Sequence, residues 1–350
     1  MEKKKSKKRI IIIILAVLIV VSLGILLIFL FWNDKDKTKK TKPKKKQNKP
    51  EIVEKVDVVD VKSKTRPFAV VVNNTPVAVK VQEGVTKAYI VYELPTEGST
   101  SRLIAIYKDI DDLTIGTIRS VRHNFIDFAY ENDAILVGHG WSHYAEDELK
   151  GGKAIINNIN GMVDNTFWRN NPENLASEHT SYTNISKLKD LSKNKGFNLE
   201  SNDWMLLKYN VGDVDLSSKE NVINATKVTI PYGNITTVFN YDSNTKLYTK
   251  NVNGVDIKDH ASGEGITTKN IIVEKITYEM CKDNYYWDLH TVGSGDGYFI
   301  TNGKAVPIKW SKGSRKEKTK YTYLDGSEIE VSDGKTYIEV QVTTKTTTIE

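Results

Sequence analysis

Cysteine is all but missing from this chain. Cys281 stands alone among 350 residues, which rules out an internal disulfide and suits Gram-positive surface proteins and cytosolic ones alike. No cysteine lies near the end of the N-terminal apolar run, so lipid attachment there is excluded. Complete catalytic signatures are missing as well. Gly140-Trp141-Ser142-His143-Tyr144 lacks the final glycine of G-x-S-x-G, and no H-E-x-x-H occurs. Asp34-Lys35-Asp36 starts like a calcium loop, but Lys39 and Lys45 replace its glycine and its final glutamate. Gly293-Ser294-Gly295-Asp296-Gly297 leads into the strand-like Tyr298-Phe299-Ile300, so it reads as a turn and not as a dinucleotide loop. No repeat of fixed period runs through the chain.

Basic charge is missing from the part that should fold. The net charge of +6 conceals a division: residues 1–50 carry 15 Lys and Arg against three acids, and the remaining 300 carry 35 basic and 41 acidic side chains, a balance of −6. A mildly acidic body argues against nucleic-acid binding. What is present is an uncharged apolar run of 23 residues, Ile10 to Trp32, preceded by Lys3, Lys4, Lys5, Lys7, Lys8 and Arg9. As a helix it would be about 34 Å long, enough to cross a hydrocarbon core of roughly 30 Å. It is too long for a signal-peptide core, and Phe29-Leu30-Phe31-Trp32-Asn33 offers no small-residue cleavage site. The run therefore predicts an uncleaved single-pass signal anchor, with residues 1–9 cytoplasmic and the remainder outside, because long domains translocate largely regardless of charge. Its flanking lysines gain about 1 kcal/mol each beside anionic lipid.

Residues 33–64 read as a disordered linker: Lys, Thr, Pro, Gln and Asn dominate, aromatics are absent after Trp32, and like charges keep the segment extended. From Arg66 the pattern changes. Phe68-Ala69-Val70-Val71-Val72, Ala88 to Tyr92, Leu103 to Tyr107 and Ala134 to Val137 are β-branched and aromatic runs that predict strands. His123 to Tyr130, the stretch after Gly140 through Leu149, and Asn184 to Lys195 predict helices, the last stopped by Gly196. This is a mixed α/β domain over residues 65–213. Beyond it the reading is nearly all β: Asn253-Gly254, Asn302-Gly303 and Asp325-Gly326 sit between alternating runs as hairpin turns do, giving a smaller β-rich domain over 214–345. The fold class is α+β or α/β.

Several segments in order carry a family resemblance: Arg66-Pro67-Phe68-Ala69-Val70, Val91-Tyr92-Glu93, Glu97-Gly98, Thr100-Ser101-Arg102, Ile115 to Arg122, Phe167-Trp168-Arg169 and Glu178-His179-Thr180-Ser181-Tyr182-Thr183. The chain resembles the YerB-like lipoprotein family, a domain of unknown function with N- and C-terminal parts. The β-rich tail from Val228 to Tyr337 resembles its C-terminal part. Where the family tends to carry an arginine, this chain has Lys80, a point charge in place of a planar fork. The resemblance implies an extracytoplasmic protein of the bacterial cell envelope and brings no agreed activity with it.

Candidate ligand-binding residues cluster in the first domain: Arg102, Arg119, Arg122, Glu93, Glu97, His139, Ser142 and His179. Arginines at strand ends make a planar, bidentate receptor for phosphate or carboxylate, or else pair with Glu93, Glu97 or Asp127 in a structural network. Ser142, just ahead of a helix, is either a nucleophile or an N-cap, with the cap favoured. His139 and His143 have metal-ligand spacing, and with His179 as a third ligand zinc is conceivable, but Gly138 and Gly140 oppose a helix there and isolated histidines are more often structural; no metal and no cofactor is expected. Two functions follow. One is a binding or regulatory module for an anionic envelope polymer or a partner protein. The other is an enzyme on phosphate-linked glycopolymer or lipid-linked precursors, with Glu93, Glu97 or Asp127 as base or magnesium ligand.

Overall fold

The computed structural model describes residues 55–201 and 205–350. The signal-anchor run Ile10 to Trp32 and the linker up to residue 54 lie outside the described residues. Among the described residues no helix is long and apolar enough to cross a membrane.

The strand Phe68–Asn73 is buried at every position, with no polar alternation. Ala69 and Val71 enter one core, while Phe68, Val70 and Val72 enter another on the opposite face. A strand covered on both faces needs an unbroken apolar run, which the sequence supplies. Ile90–Thr96, Thr336–Val342 and most of Thr100–Tyr107 are likewise buried along their length, although Glu93, Glu339 and Gln341 interrupt the apolar runs of the first two. These strands form the middle of a large mixed sheet. From one edge its order is Lys320–Tyr323, Lys304–Lys312, Gly293–Thr301, Asn270–Ile276, Thr336–Val342, Ile90–Thr96, Thr100–Tyr107, Phe68–Asn73, Ile135–Gly138 and Asn158–Asn160.

Helix α1 (Phe125–Glu131) covers one face through Phe125, Ile126, Phe128 and Ala129. The other face packs against α3 (Ile185–Asn194) and against a six-stranded antiparallel sheet that includes Lys227–Pro231, Thr236–Asp242 and Leu247–Val252. Helix α2 (His143–Lys150) begins at Ser142, whose hydroxyl accepts from the Ala145 N–H at 3.2 Å. The architecture is mixed α/β with few helices and much sheet.

Tertiary structure adds one feature to the sequence reading and changes two others. Strand Thr336–Val342, from the β-rich tail, lies between Asn270–Ile276 and Ile90–Thr96 and runs parallel to both. Strands from either side of residue 213 therefore share one sheet, and the described chain is one compact unit. The linker read to residue 64 is docked well before it ends: Val59 is buried, Val56, Val58 and Val61 pack on the core, and the Asp57 and Val58 N–H groups donate to the Asp333 carboxylate at 2.8 and 3.0 Å. Averaged composition hid this short apolar stretch. Gly293 to Gly297 is not a turn but the first half of strand Gly293–Thr301. Its glycines admit close neighbours, since a Cβ at Gly295 would meet the Trp310 ring and one at Gly297 the Val273 backbone.

Candidate functional site

Three short strands, Thr114–Gly116, Ser181–Asn184 and Trp168–Arg169, form a small antiparallel sheet with the second in the middle. Gly116 lies opposite Tyr182, and any side chain there would run into the tyrosine ring. This close seating starts a path that leads to Arg119, whose N–H donates to the Val71 carbonyl at 2.9 Å beside the end of the central strand. The turn Ser177–His179 precedes the middle strand.

Two guanidinium groups grip that turn. Arg119 Nη1 donates to the Glu178 carbonyl at 3.2 Å, and Arg169 Nη1 donates to the Ser177 carbonyl at 2.5 Å. On the far side of the turn, Asn73 Nδ2 donates to His179 Nδ1 at 2.8 Å, while Asn73 Oδ1 accepts from the Thr75 N–H at 3.1 Å. His139 Nδ1 lies 2.6 Å from the Ser181 hydroxyl, and its Nε2 lies 3.3 Å from Arg169 Nη2. Each imidazole thus accepts from an obligate donor and is neutral in this network. Burial and the neighbouring arginine, Arg169 for His139 and Arg119 for His179, hold both imidazoles below their ordinary pKa. The cluster sits at the carboxyl ends of the parallel strands Phe68–Asn73 and Ile135–Gly138, the end at which open α/β sheets bind ligands.

Beside it lies a second, more buried arginine group. Glu97 Oε1 accepts from Arg102 at 3.0 Å and from Arg122, and Glu97 Oε2 accepts from Arg122 Nε at 2.9 Å. Arg102 Nη1 also donates to the Ser120 carbonyl at 2.7 Å. Burial alone would raise the Glu97 carboxyl, but the Arg122 hydrogen bond and the two arginine charges outweigh it and bring it down to about 2. Burial and the Arg122 charge pull the Arg102 guanidinium down to about 9, still protonated near neutral pH. One carboxylate serves two arginines here. Among the described residues, neither Arg119 nor Arg169 has a carboxylate at ion-pair distance. The Glu178 and Glu97 carboxylates act on Arg119 from a distance, so the region keeps part of its positive charge on a body whose overall balance is negative.

The predicted residues fall into five places. Arg119, His139 and His179 meet around the turn, and Arg102, Arg122 and Glu97 form the ion triad next to it. Glu93 is elsewhere: it is fully buried between the two sheets, bonded to Asn74, Ser101, Thr237 and Lys250. Strand pleating is the reason, since Glu93 points toward the second sheet and Glu97 follows the end of the strand. Ser142 is the cap of α2 and turns its hydroxyl into the helix. Asp127 is buried in a separate cleft of about 350 Å³, where Arg315 and Thr291 bond it. Among the described residues no group of three or more His, Cys, Asp or Glu side chains is placed to hold a metal ion. Asn73, Arg169 and Ser181 were not singled out by sequence reasoning. Two of them lie within Phe167-Trp168-Arg169 and Glu178 to Thr183, the ordered segments that could have pointed to them.

Comparison with known proteins adds a lineage. Residues 56–198 match the N-terminal domain, and residues 228–338 the C-terminal domain, of a family described as "Protein of unknown function (DUF3048)". A relative named "Putative lipoprotein YerB" from Bacillus subtilis (strain 168) is 29% identical over 277 residues, 78% of each chain. The crystal structure of YerB protein from Bacillus subtilis is similar, with a TM-score of 0.71 at 27% identity, covering 82% of this chain and 94% of that one.

Proposed function

Because the chain belongs to this family of unknown function, which has a relative named as a lipoprotein, we propose that it is an extracytoplasmic binding module of the bacterial cell envelope. The ligand class is a phosphate- or carboxylate-bearing envelope polymer. The observation that carries the reading is the pair Arg119 and Arg169, two guanidinium groups held on one turn with no carboxylate at ion-pair distance among the described residues. Preorganised guanidinium forks bind such anions by charge-assisted, bidentate hydrogen bonds. The neutral imidazoles of His139 and His179 add hydrogen-bonding groups without opposing charge. The apolar run Ile10 to Trp32 is long enough to serve as a membrane anchor that leaves the body outside.

Catalysis on phosphate-linked polymers is the weaker reading. It asks for an open carboxylate beside the arginines, and Glu97 is held by Arg102 and Arg122 while Glu93 is enclosed between sheets. The test is calorimetric titration of the full chain in mild detergent with a glycerol phosphate oligomer, for wild type and Arg119→Ala/Arg169→Ala. Saturable binding that weakens at least tenfold in the double variant, with unchanged melting, is expected. Equal binding by both proteins overturns the proposal.

A further inference from the structure

The C-terminal part of the chain sends a hairpin to the arginine cluster. Tyr278–Met280 pairs antiparallel with Trp287–Leu289, and this two-stranded ribbon belongs to no other sheet. Its base is clamped by one side chain at the start of α1: Asn124 Nδ2 donates to the Trp287 carbonyl at 2.6 Å, and Asn124 Oδ1 accepts from the Leu289 N–H at 3.1 Å. Its tip is set by Asp283, whose Oδ1 accepts from the Tyr285 and Tyr286 N–H groups at 3.0 and 3.2 Å. The ribbon is therefore held at both ends, and it presents two adjacent tyrosines in a fixed place.

That place is beside the arginines. The Arg122 guanidinium carbon lies 5.1 Å from the centre of the Tyr286 ring, within cation–π range. His143 and Tyr144, at the start of α2, meet Tyr286 edge-on with centroids 5.4 and 5.9 Å away. Tyr285 packs edge-on against Tyr286 at 4.9 Å and keeps 56% of its surface open. Burial pulls the Arg119 guanidinium below its ordinary pKa, and the Tyr285 phenol is among the groups near enough to act on it electrostatically. Tyr286 is thus packed from several sides, and Tyr285 offers the open face.

We infer that the Tyr285–Tyr286 hairpin tip is the sugar-recognising wall of the arginine site, so that the unit bound is a hexose phosphate. This rests on the anion reading proposed above and adds the second half of the ligand. One open phenol face suits the apolar face of a single pyranose, and the phenol, imidazole and Asp283 groups around it suit ring hydroxyls. The phosphate of the same unit falls to the neighbouring arginines, of which Arg122 lies against the Tyr286 ring and Arg119 is within electrostatic reach of the Tyr285 phenol. A flat base sandwiched between parallel rings is disfavoured, because His143, Tyr144 and Tyr285 all meet Tyr286 edge-on and leave no parallel slot against it.

The test uses the full chain in mild detergent and two oligomers of equal phosphate count, one of hexose phosphate and one of glycerol phosphate, titrated calorimetrically. Wild type should bind the hexose form about tenfold more tightly, a stacking contribution of ordinary size. Tyr285→Ala should erase that preference and leave glycerol phosphate binding unchanged, with Tyr285→Phe retaining most of it. Arg119→Ala/Arg169→Ala should weaken both oligomers. A preference that survives in Tyr285→Ala, no preference in wild type, or tighter binding of adenosine monophosphate than of hexose phosphate overturns the sugar assignment while leaving the anion site standing. Undiminished binding of both oligomers by the arginine double variant, or no binding of either by wild type, overturns the anion reading and the sugar assignment with it.

Discussion

Glu93 and Lys250 meet at 2.8 Å between the two sheets, with side chains 0% and 2% exposed. They come from opposite sides of the β-rich boundary, and their contact ties the large sheet to the smaller one. Glu339, opposite Glu93 on the neighbouring parallel strand, is equally buried; burial and the Glu93 charge push its carboxyl well above the ordinary range. Lys250 is thus the counter-charge for a place where two carboxyls stand side by side.

Lys250→Met should therefore destabilise the protein by about 3–5 kcal/mol, because it strands a buried carboxylate without a partner. Glu93→Gln/Lys250→Met should recover a large part of that loss, since both charges are then gone. Urea unfolding of the three proteins checks this. A single-variant cost below about 1 kcal/mol would remove the pair from the list of what holds the sheets together.

The arginines should divide by role. Arg102→Ala leaves Glu97 and the Ser120 carbonyl short of a donor in a buried place, and a loss of about 2–4 kcal/mol is expected. Arg119→Ala removes one bond to a carbonyl at a half-open site and should cost about 1 kcal/mol or less. Melting curves separate the two, and similar losses would place Arg119 in the fold rather than the site.

Acid should act through Glu97. Its carboxyl titrates at about 2 in the folded chain against an ordinary value of 4.5, so its ionisation favours folding above pH 4.5 and that contribution fades as pH falls toward 2. Linkage sets the size on the order of 3 kcal/mol. Unfolding free energies measured from pH 5 to pH 2 should fall less steeply in Glu97→Gln than in wild type. Parallel curves would show that the triad does not govern acid stability.

Glu274 works in the opposite sense. It is buried beside Tyr321, whose hydroxyl donates to it at 3.0 Å, and burial together with the nearby Glu131 charge raises it to about 7. A raised carboxyl contributes stability below its ordinary value and loses it as pH rises through 7. Glu274→Gln, which mimics the protonated form, should melt higher than wild type at pH 8 and match it near pH 4. A variant that melts lower at both values contradicts the assignment.

Much of the local structure was legible before any fold was known. The runs at Phe68, Ala88, Leu103 and Ala134 became strands, and the helical spacing around Phe125 and Leu188 became α1 and α3. Asn253-Gly254 and Asn302-Gly303 became turns with both residues at positive φ, the conformation these residues adopt at least cost. The site was half legible. Arg119, His139 and His179 stood out as charged or titratable residues between apolar strands, and they do meet. Asn73 did not stand out, because His179 lies more than a hundred residues from it, and Arg169 did not, because its contact with His139 depends on a neighbouring strand.

Sequence alone determined the periodicities, the charge division between the basic first 50 residues and the acidic remainder, the apolar run Ile10 to Trp32, and the lack of internal disulfides and of complete catalytic motifs. These follow from residue type and near neighbours, which set backbone preference and local burial. Tertiary structure decided which polar residues share a place: that Glu93 belongs to Lys250 and Glu97 to two arginines, that Arg119 and Arg169 hold one turn, and that a hairpin from the far end of the chain stands beside them. Such pairings depend on parallel strands and crossovers that bring distant segments together. The free energy that selects them comes from burying both faces of one large sheet, a property no short window of sequence contains.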